Sequence, residues 1–280
     1  MTLTRLTIPV FVLVLIVSAG TAMGQRGASY DGQAKPWDST SQGFPGYFDT
    51  NVARKGTFVL EFPPMIWGIL PVPSISSDYG VTDTLTVGTN ALIASFPWLL
   101  GAQGGSIKVR SLLVGTSEQQ AAVTYYGGGL AFHGETPFSL YYHLMTWNHA
   151  WGLGTDHTLA AHANYLKVNL EQGSIQDLKH AELSLSALMF GAGYGYFINS
   201  RWSLRLDGVA SVYQTIDADT AAISLNQSSS IKNVKSVTLI GMSQIEYHPF
   251  PNWLFGVGIT GLGIGGSGGG APWFTWSKRW

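Results

Sequence analysis

The chain has 280 residues, a formal net charge of −1 and no cysteine. Charged residues are 11% of it, against about 25% in a typical soluble domain, while there are 35 glycines and 10 Trp, 12 Tyr and 13 Phe. The near-neutral balance gives no basic face for nucleic acid, and the missing cysteines exclude a disulfide scaffold and a cysteine-linked lipid anchor.

Met1–Thr7 carries one positive charge, Arg5, and Ile8–Ala19 is an almost unbroken apolar run followed by small residues. Ala22 and Gly24 stand at the spacing for cleavage before Gln25, with Ser18 and Gly20 as a second option. The run is shorter than the roughly 20 residues a spanning helix needs, so residues 1–24 are expected to be a removed signal peptide. Residues 25–55 are polar and rich in Gly, Ser, Asp and Pro, and read as a flexible N-terminal segment.

From residue 56 to the end the dominant signal is a period of two, as in strands whose alternate side chains share a face. Val81–Asn90 sets Leu85 and Val87 against Thr82, Thr84 and Thr86. Ser106–Gly115 sets Ile107, Val109 and Leu113 against Lys108 and Arg110. Leu178–Phe197 sets Leu183, Leu185, Ala187 and Met189 against His180, Glu182, Ser184 and Ser186, the leucine face being expected to point outward. Arg201–Tyr213 alternates Trp202, Leu204 and Leu206 with Ser203, Arg205 and Asp207, and Lys235–His248 alternates Leu239 and Ile245 with Gln244, Glu246 and His248.

Short links flanked by aromatics occur at Phe197–Trp202 and His248–Trp253, with a third expected at Asp78–Asp83. Longer polar or Gly-rich links are expected at Thr215–Asn233 and Gly263–Pro272. The chain closes on Trp-Phe-Thr-Trp-Ser-Lys-Arg-Trp, which places Phe274, Trp276 and Trp280 on one face of a final strand.

That aromatic ending, with the signal sequence, the alternation and the turn style, resembles the bacterial outer-membrane β-barrels of porin-like build. The resemblance implies an all-β, transmembrane antiparallel barrel of about twelve strands, ten being the alternative, with short periplasmic turns and longer extracellular loops. It further implies export to the outer membrane, contact with outer-membrane lipid and insertion by the barrel-assembly machinery, for which Phe274, Trp276 and Trp280 are the signal.

Two stretches break the alternation. Ala91–Leu100, with Phe96, Trp98 and Leu99, is apolar throughout, and Phe138–Trp147 is apolar on both faces through Phe138, Tyr142, Leu144 and Trp147. A plug, a homo-oligomeric contact or enclosed lipid would satisfy them, as would a narrow barrel filled by its own side chains.

No catalytic, cofactor or metal site is expected. The glycine patterns at Gly261–Gly266 and Gly265–Gly269 need a following helix to bind a dinucleotide or present a nucleophile, and the last strand follows instead. Outer-membrane lipases carry His-x-Ser, and none of the seven histidines here has Ser two positions on. Asn148-His149 and Asp156-His157 are the nearest alternatives, each better read as a polar rim. The coherent polar set is a lumen lining of Lys108, Arg110, His162, His180, Glu182, Arg201, Arg205, Asp207, Glu246 and His248. These residues either brace the interior in pairs or line a passage. The functional expectation is a non-enzymatic barrel for small-solute passage or envelope structure. The alternatives are an oligomer that encloses lipid and a lipid-modifying or proteolytic enzyme.

Overall fold

The computed structural model describes residues 53, 55–62, 75–90, 94, 102–115, 119–133, 137–153, 156–173, 178–199, 201–222, 228–231, 238–247, 249, 253–264 and 267–280. The expected signal peptide and the apolar residues Phe96, Trp98 and Leu99 lie outside them. Thirteen strands form one antiparallel sheet: β1 Phe58–Phe62, β2 Ser76–Thr82, β3 Leu85–Asn90, β4 Gln103–Gly115, β5 Gln119–Phe132, β6 Phe138–Leu153, β7 His157–Gln172, β8 Leu178–Phe197, β9 Trp202–Ala222, β10 Ser228–Ile231, β11 Thr238–Tyr247, β12 Trp253–Ile264 and β13 Ser267–Arg279. Each strand but β10 pairs with two neighbours in a ring, and the β8–β9 and β1–β13 pairings close it as a twelve-stranded barrel. The strand β10 pairs only with the far end of β9, beside the ring.

All-β class and closure agree with the expectation of about twelve strands, and Phe58–Phe62 is a member of the ring. Closure gives each ring strand a hydrogen-bonded neighbour on both sides, which blunts edge-to-edge pairing. One end carries the tight turns, where Trp280 also lies: its backbone exchanges hydrogen bonds with Phe58, N–H to O 2.9 and 3.2 Å. The other end carries the longer links together with the two-residue β12–β13 connection. The wall is uneven, since β1 to β3 have 5, 7 and 6 residues whereas β6 to β9 have 16, 16, 20 and 21.

Three expected links are strand instead. Asp78 lies within β2, and the turn follows it at Asp83-Thr84; Asp78 is buried on the inner face, where a lysine answers its charge. Thr215–Ala222 continues β9, because β8 pairs with it from Ser186 back to Leu178, with one bulge between Leu178 and His180. Gly268–Pro272 belongs to β13, held by β12 from Gly263 to Ile259. Glycine weakens an isolated strand, but the ladder with β12 fixes its backbone here.

The face assignment of β8 is also corrected. Leu185, Ala187 and Met189 point into the barrel, where they join Leu130, Leu140, Tyr142, Leu144, Leu166, Val168 and Val209 in a buried apolar cluster. The alternation was real, but its polar side, Ser184 and Ser186, faces out.

Candidate functional site

The strand registers build two surfaces, an inner wall and an outer belt. On the inner wall the polar side chains fall into three groups. In the first, Lys108 of β4 forms an ion pair with Asp78, lies 3.6 Å from Glu61 Oε2, and donates to Ser76 Oγ at 3.1 Å. Ser76 Oγ in turn donates to Asp78 Oδ1 at 2.8 Å. In the second, Arg205 pairs with Asp207, whose Oδ1 is 3.2 Å from His162 Nε2; His162 Nδ1 is 3.1 Å from Asn148 Oδ1. In the third, Glu246 accepts from Ser203 Oγ at 2.9 Å and from Gln244 Nε2 at 2.8 Å.

All the charged members of these groups are buried. A charge moved out of water is tolerated only when a partner and hydrogen bonds replace the hydration. The three carboxylate clusters share a local device, a glycine on the adjoining strand. A Cβ on Gly88 would stand 2.1 Å from Asp78 Oδ1, one on Gly193 2.1 Å from Asp207 Oδ1, and one on Gly256 2.3 Å from Gln244 Nε2. The missing side chains leave the space in which the paired groups lie across the wall.

Arg110 completes the polar lining, donating from Nε to Thr124 Oγ1 at 3.1 Å. Above these groups, toward the long-link end, the inner wall turns apolar. The inner row Tyr126–Leu144–Leu166–Ala187 is in register across β5 to β8 and opens the apolar cluster.

The outer belt reverses this order. Between the turns and the row Tyr125–Met145–Tyr165–Leu188–Tyr213, the outward side chains are apolar or aromatic, including Trp147, Leu159, Phe190, Leu206 and Val212. On the opposite wall Val257 and Ile259 of β12 are each 62% exposed. The turn-side rim is aromatic: Trp202 packs on Tyr247 with centroids 4.6 Å apart, Phe58 on Trp280 at 5.5 Å, and Lys278 Nζ lies 4.6 Å over Trp280. Beyond the Tyr125–Tyr213 row the outward rows become His143–Lys167–Ser186–Thr215 and Tyr141–Asn169–Ser184–Asp217. Ser184 Oγ there donates to Asn169 Oδ1 at 2.9 Å.

The structure thus gathers six of the ten residues read as lumen-lining onto the inner wall: Lys108, Arg110, His162, Arg205, Asp207 and Glu246. Glu182 is exposed on the outward side of β8, and Arg201 is exposed in the β8–β9 turn, so neither lines the interior. The side chain of His180 and all of His248 lie outside the described residues. Of the residues offered as interface or lipid contacts, Tyr142 and Leu144 are buried inside and Phe138 packs against them, whereas Trp147 is outward and exposed. Phe274 and Trp280 are exposed on the outward side and Trp276 is half-buried there. Sequence reading missed Glu61, Asp78, Asn148 and Asn164. The signal for Asp78 was its period-two spacing with Ser76, hidden by the turn-like Asp-Tyr-Gly.

The histidines raised as catalytic candidates face outward. His149 stacks on Trp151 at 4.1 Å and touches the edge of Trp147 at 5.7 Å, with Nε2 3.2 Å from Gln119 Oε1. His157 stacks on Tyr196 at 4.9 Å and lies 2.7 Å from the Tyr194 hydroxyl. Both are members of an aromatic rim, held by ring stacking and by a glutamine or a tyrosine hydroxyl. No three His, Asp or Glu side chains among the described residues are placed to hold a metal ion. No protein-family model and no curated protein matches the chain.

Proposed function

We propose that this chain is an outer-membrane barrel of porin-like build, without enzymatic activity, whose role is structural rather than free passage of solutes. One observation carries the membrane placement. The outward apolar belt is bounded by aromatic rows at both ends, and outward polarity returns immediately beyond the upper row. On β7 the belt runs from His157 to Tyr165, about nine residues, which is the length a tilted strand needs to cross a bilayer core. Its aromatic edges suit the two interfaces, where amphipathic rings sit at headgroup level. Export past an inner membrane, insertion by the barrel-assembly machinery and residence among outer-membrane lipids follow from that reading.

Two features of the interior favour a closed barrel. Its charges are paired and withdrawn from solvent, and across β5 to β8 the layer above them is apolar, whereas a hydrophilic passage needs a wetted wall throughout. Burial of Tyr142 and Leu144 inside, with Phe138 packed against their cluster, also removes them as subunit contacts, which favours a barrel that needs no oligomer to satisfy them. The test has two arms. Tryptophan fluorescence of the refolded protein in vesicles of brominated lipid should be quenched strongly, and protein that stays in solution unquenched sinks the membrane placement. Planar bilayers should show no steady ionic current, and a stable open conductance sinks the closed interior alone.

A further inference from the structure

On the outward face of the turn-side rim, Lys278 of β13 stands opposite Trp253 of β12 and Leu60 of β1. Trp280 follows two residues later on the same face. The Lys278 ammonium lies 4.7 Å from the Trp253 ring centroid and 4.6 Å from that of Trp280. Both rings are themselves packed, Trp253 on Phe255 at 5.6 Å and Trp280 on Phe58 at 5.5 Å. Given the membrane placement proposed above, on which this site depends, we infer that Lys278 and the two indoles dock the phosphate of an anionic phospholipid headgroup in the turn-side leaflet.

The inner wall supplies the contrast. Lys108 also lies over a ring, that of Tyr126 at 5.4 Å, yet Asp78 and Glu61 answer its charge. Lys278 lies within ion-pair distance of no described carboxylate. A carboxylate would cancel the ammonium, whereas a ring face attracts it through its quadrupole and leaves the full positive charge to act on a third group. The surrounding sector adds no anion. The other described outward side chains of β11, β12, β13 and β1, such as Ile245, Phe255, Phe274 and Phe58, are uncharged. The glutamates of these strands, Glu246 and Glu61, are buried on the inner wall.

An ammonium at the edge of an apolar belt retains its charge where water or a headgroup reaches it. The indoles add to the demand for an acceptor, since each carries one N–H donor and accepts nothing. Neither Trp253 nor Trp280 donates to a described residue. One cation and two N–H donors thus stand together at the depth where interfacial rings meet headgroups. A phosphodiester answers them with charge and acceptor oxygens at once. A zwitterionic headgroup brings its own cation, which repels Lys278 and competes for the same ring faces. The preferred lipid therefore carries net negative charge.

The test uses the full chain refolded in phosphatidylcholine vesicles. Trace phosphatidylglycerol or phosphatidylcholine, each with a diazirine beside the headgroup, is photolysed and its adducts are mapped by peptide mass spectrometry. Around Trp253 and Trp276–Trp280 the phosphatidylglycerol yield should exceed the phosphatidylcholine yield about fivefold, the effect of one lysine at a charged lipid surface. Lys278→Gln should bring the two yields within about twofold, while Lys278→Arg keeps the excess because the charge remains. Lys167→Gln, on the link-side outward face, should change nothing at this rim. In the parent protein, salt at about 1 M should erase the excess, because the screening length falls to about 3 Å; this arm reads the charge without any substitution. Equal yields in the parent, or an excess that survives Lys278→Gln, overturns the site. Loss of the excess on adding millimolar inorganic phosphate also overturns it, by giving the three donors to a free anion. Adducts of both lipids along the belt without an excess at the rim would remove the docking site and leave the membrane placement standing. Adducts of neither lipid would remove the placement and the site with it.

Discussion

The turn-side and link-side halves of strands β6 to β9 have opposite amphipathicity. Below the Tyr125–Tyr213 row, Trp147, Ala163 and Phe190 face out and Asn148, His162 and Asp207 face in. Above it, Lys167, Asn169 and Ser186 face out while Leu144, Leu166 and Ala187 face in. The backbone runs through the change without altering which side chains point which way on β6 and β7. A single strand therefore presents two patterns, apolar then polar outside, polar then apolar inside. The lower half has the pattern of a membrane barrel, and the upper half that of a water-soluble sheet with an apolar underside. On the proposed membrane placement, β6 to β9 are longer than β1 to β3 because they continue past the belt.

The comparison breaks most sharply at Lys108. Its substitution by Met leaves Asp78 and Glu61 buried beside a neutral side chain, and removing one partner of a buried pair costs about 3–5 kcal/mol. Urea unfolding in lipid vesicles should show a loss of that size. A loss below about 1 kcal/mol would mean that water reaches the lower interior and screens the pair, making the inner wall a wetted passage.

Next in size is a matched pair of charges on the two halves of the outer face. Ala161→Arg places a cation in the middle of the apolar belt, where arginine costs about 2–4 kcal/mol, falling to about 0–1 kcal/mol near the interfaces. Ser186→Arg places the same group one row beyond the Tyr165–Leu188 level and should cost no more than about 1 kcal/mol. Equal losses at the two sites in the same vesicles would remove the boundary drawn between them.

The sequence revealed period two wherever the two faces differ in polarity, as in Trp202–Asp207, and so the barrel class was legible. Which face points inward was legible only for the lower halves. Alternation separates two faces symmetrically, and a strand with leucines on one side and serines on the other satisfies a lipid-facing lower half or a core-facing upper half equally well. For Leu185 and Met189 the deciding information is the register with Val168 and Ser211 on neighbouring strands, which no local pattern contains. The charged groups show the same limit. Lys108 and Arg205 announced a polar wall, but Asp78 was hidden in a turn-like tripeptide, and its lysine lies 30 positions away. Gly268–Gly270 read as a loop because glycine has little intrinsic strand preference, and ladder bonds from β12 override that preference.

The smallest effect concerns the rim where the lower half ends. In His149→Phe the ring still stacks on Trp151 and meets Trp147, and only the contact with Gln119 is lost. A half-exposed hydrogen bond contributes about 0.5–1.5 kcal/mol, and the phenyl ring recovers part of it by burying more apolar surface among aromatics. The net change should lie within about 1 kcal/mol, with quenching by brominated lipid unchanged and any hydrolysis screen on lipid or peptide substrates as silent as before. An ester- or peptide-cleaving activity present in the parent barrel and abolished by His149→Phe would instead give the imidazole a chemical role that stacking alone cannot supply. That result would overturn the assignment of this face to anchoring, because two tryptophans beside an inert ring need no titratable nitrogen to sit at an interface.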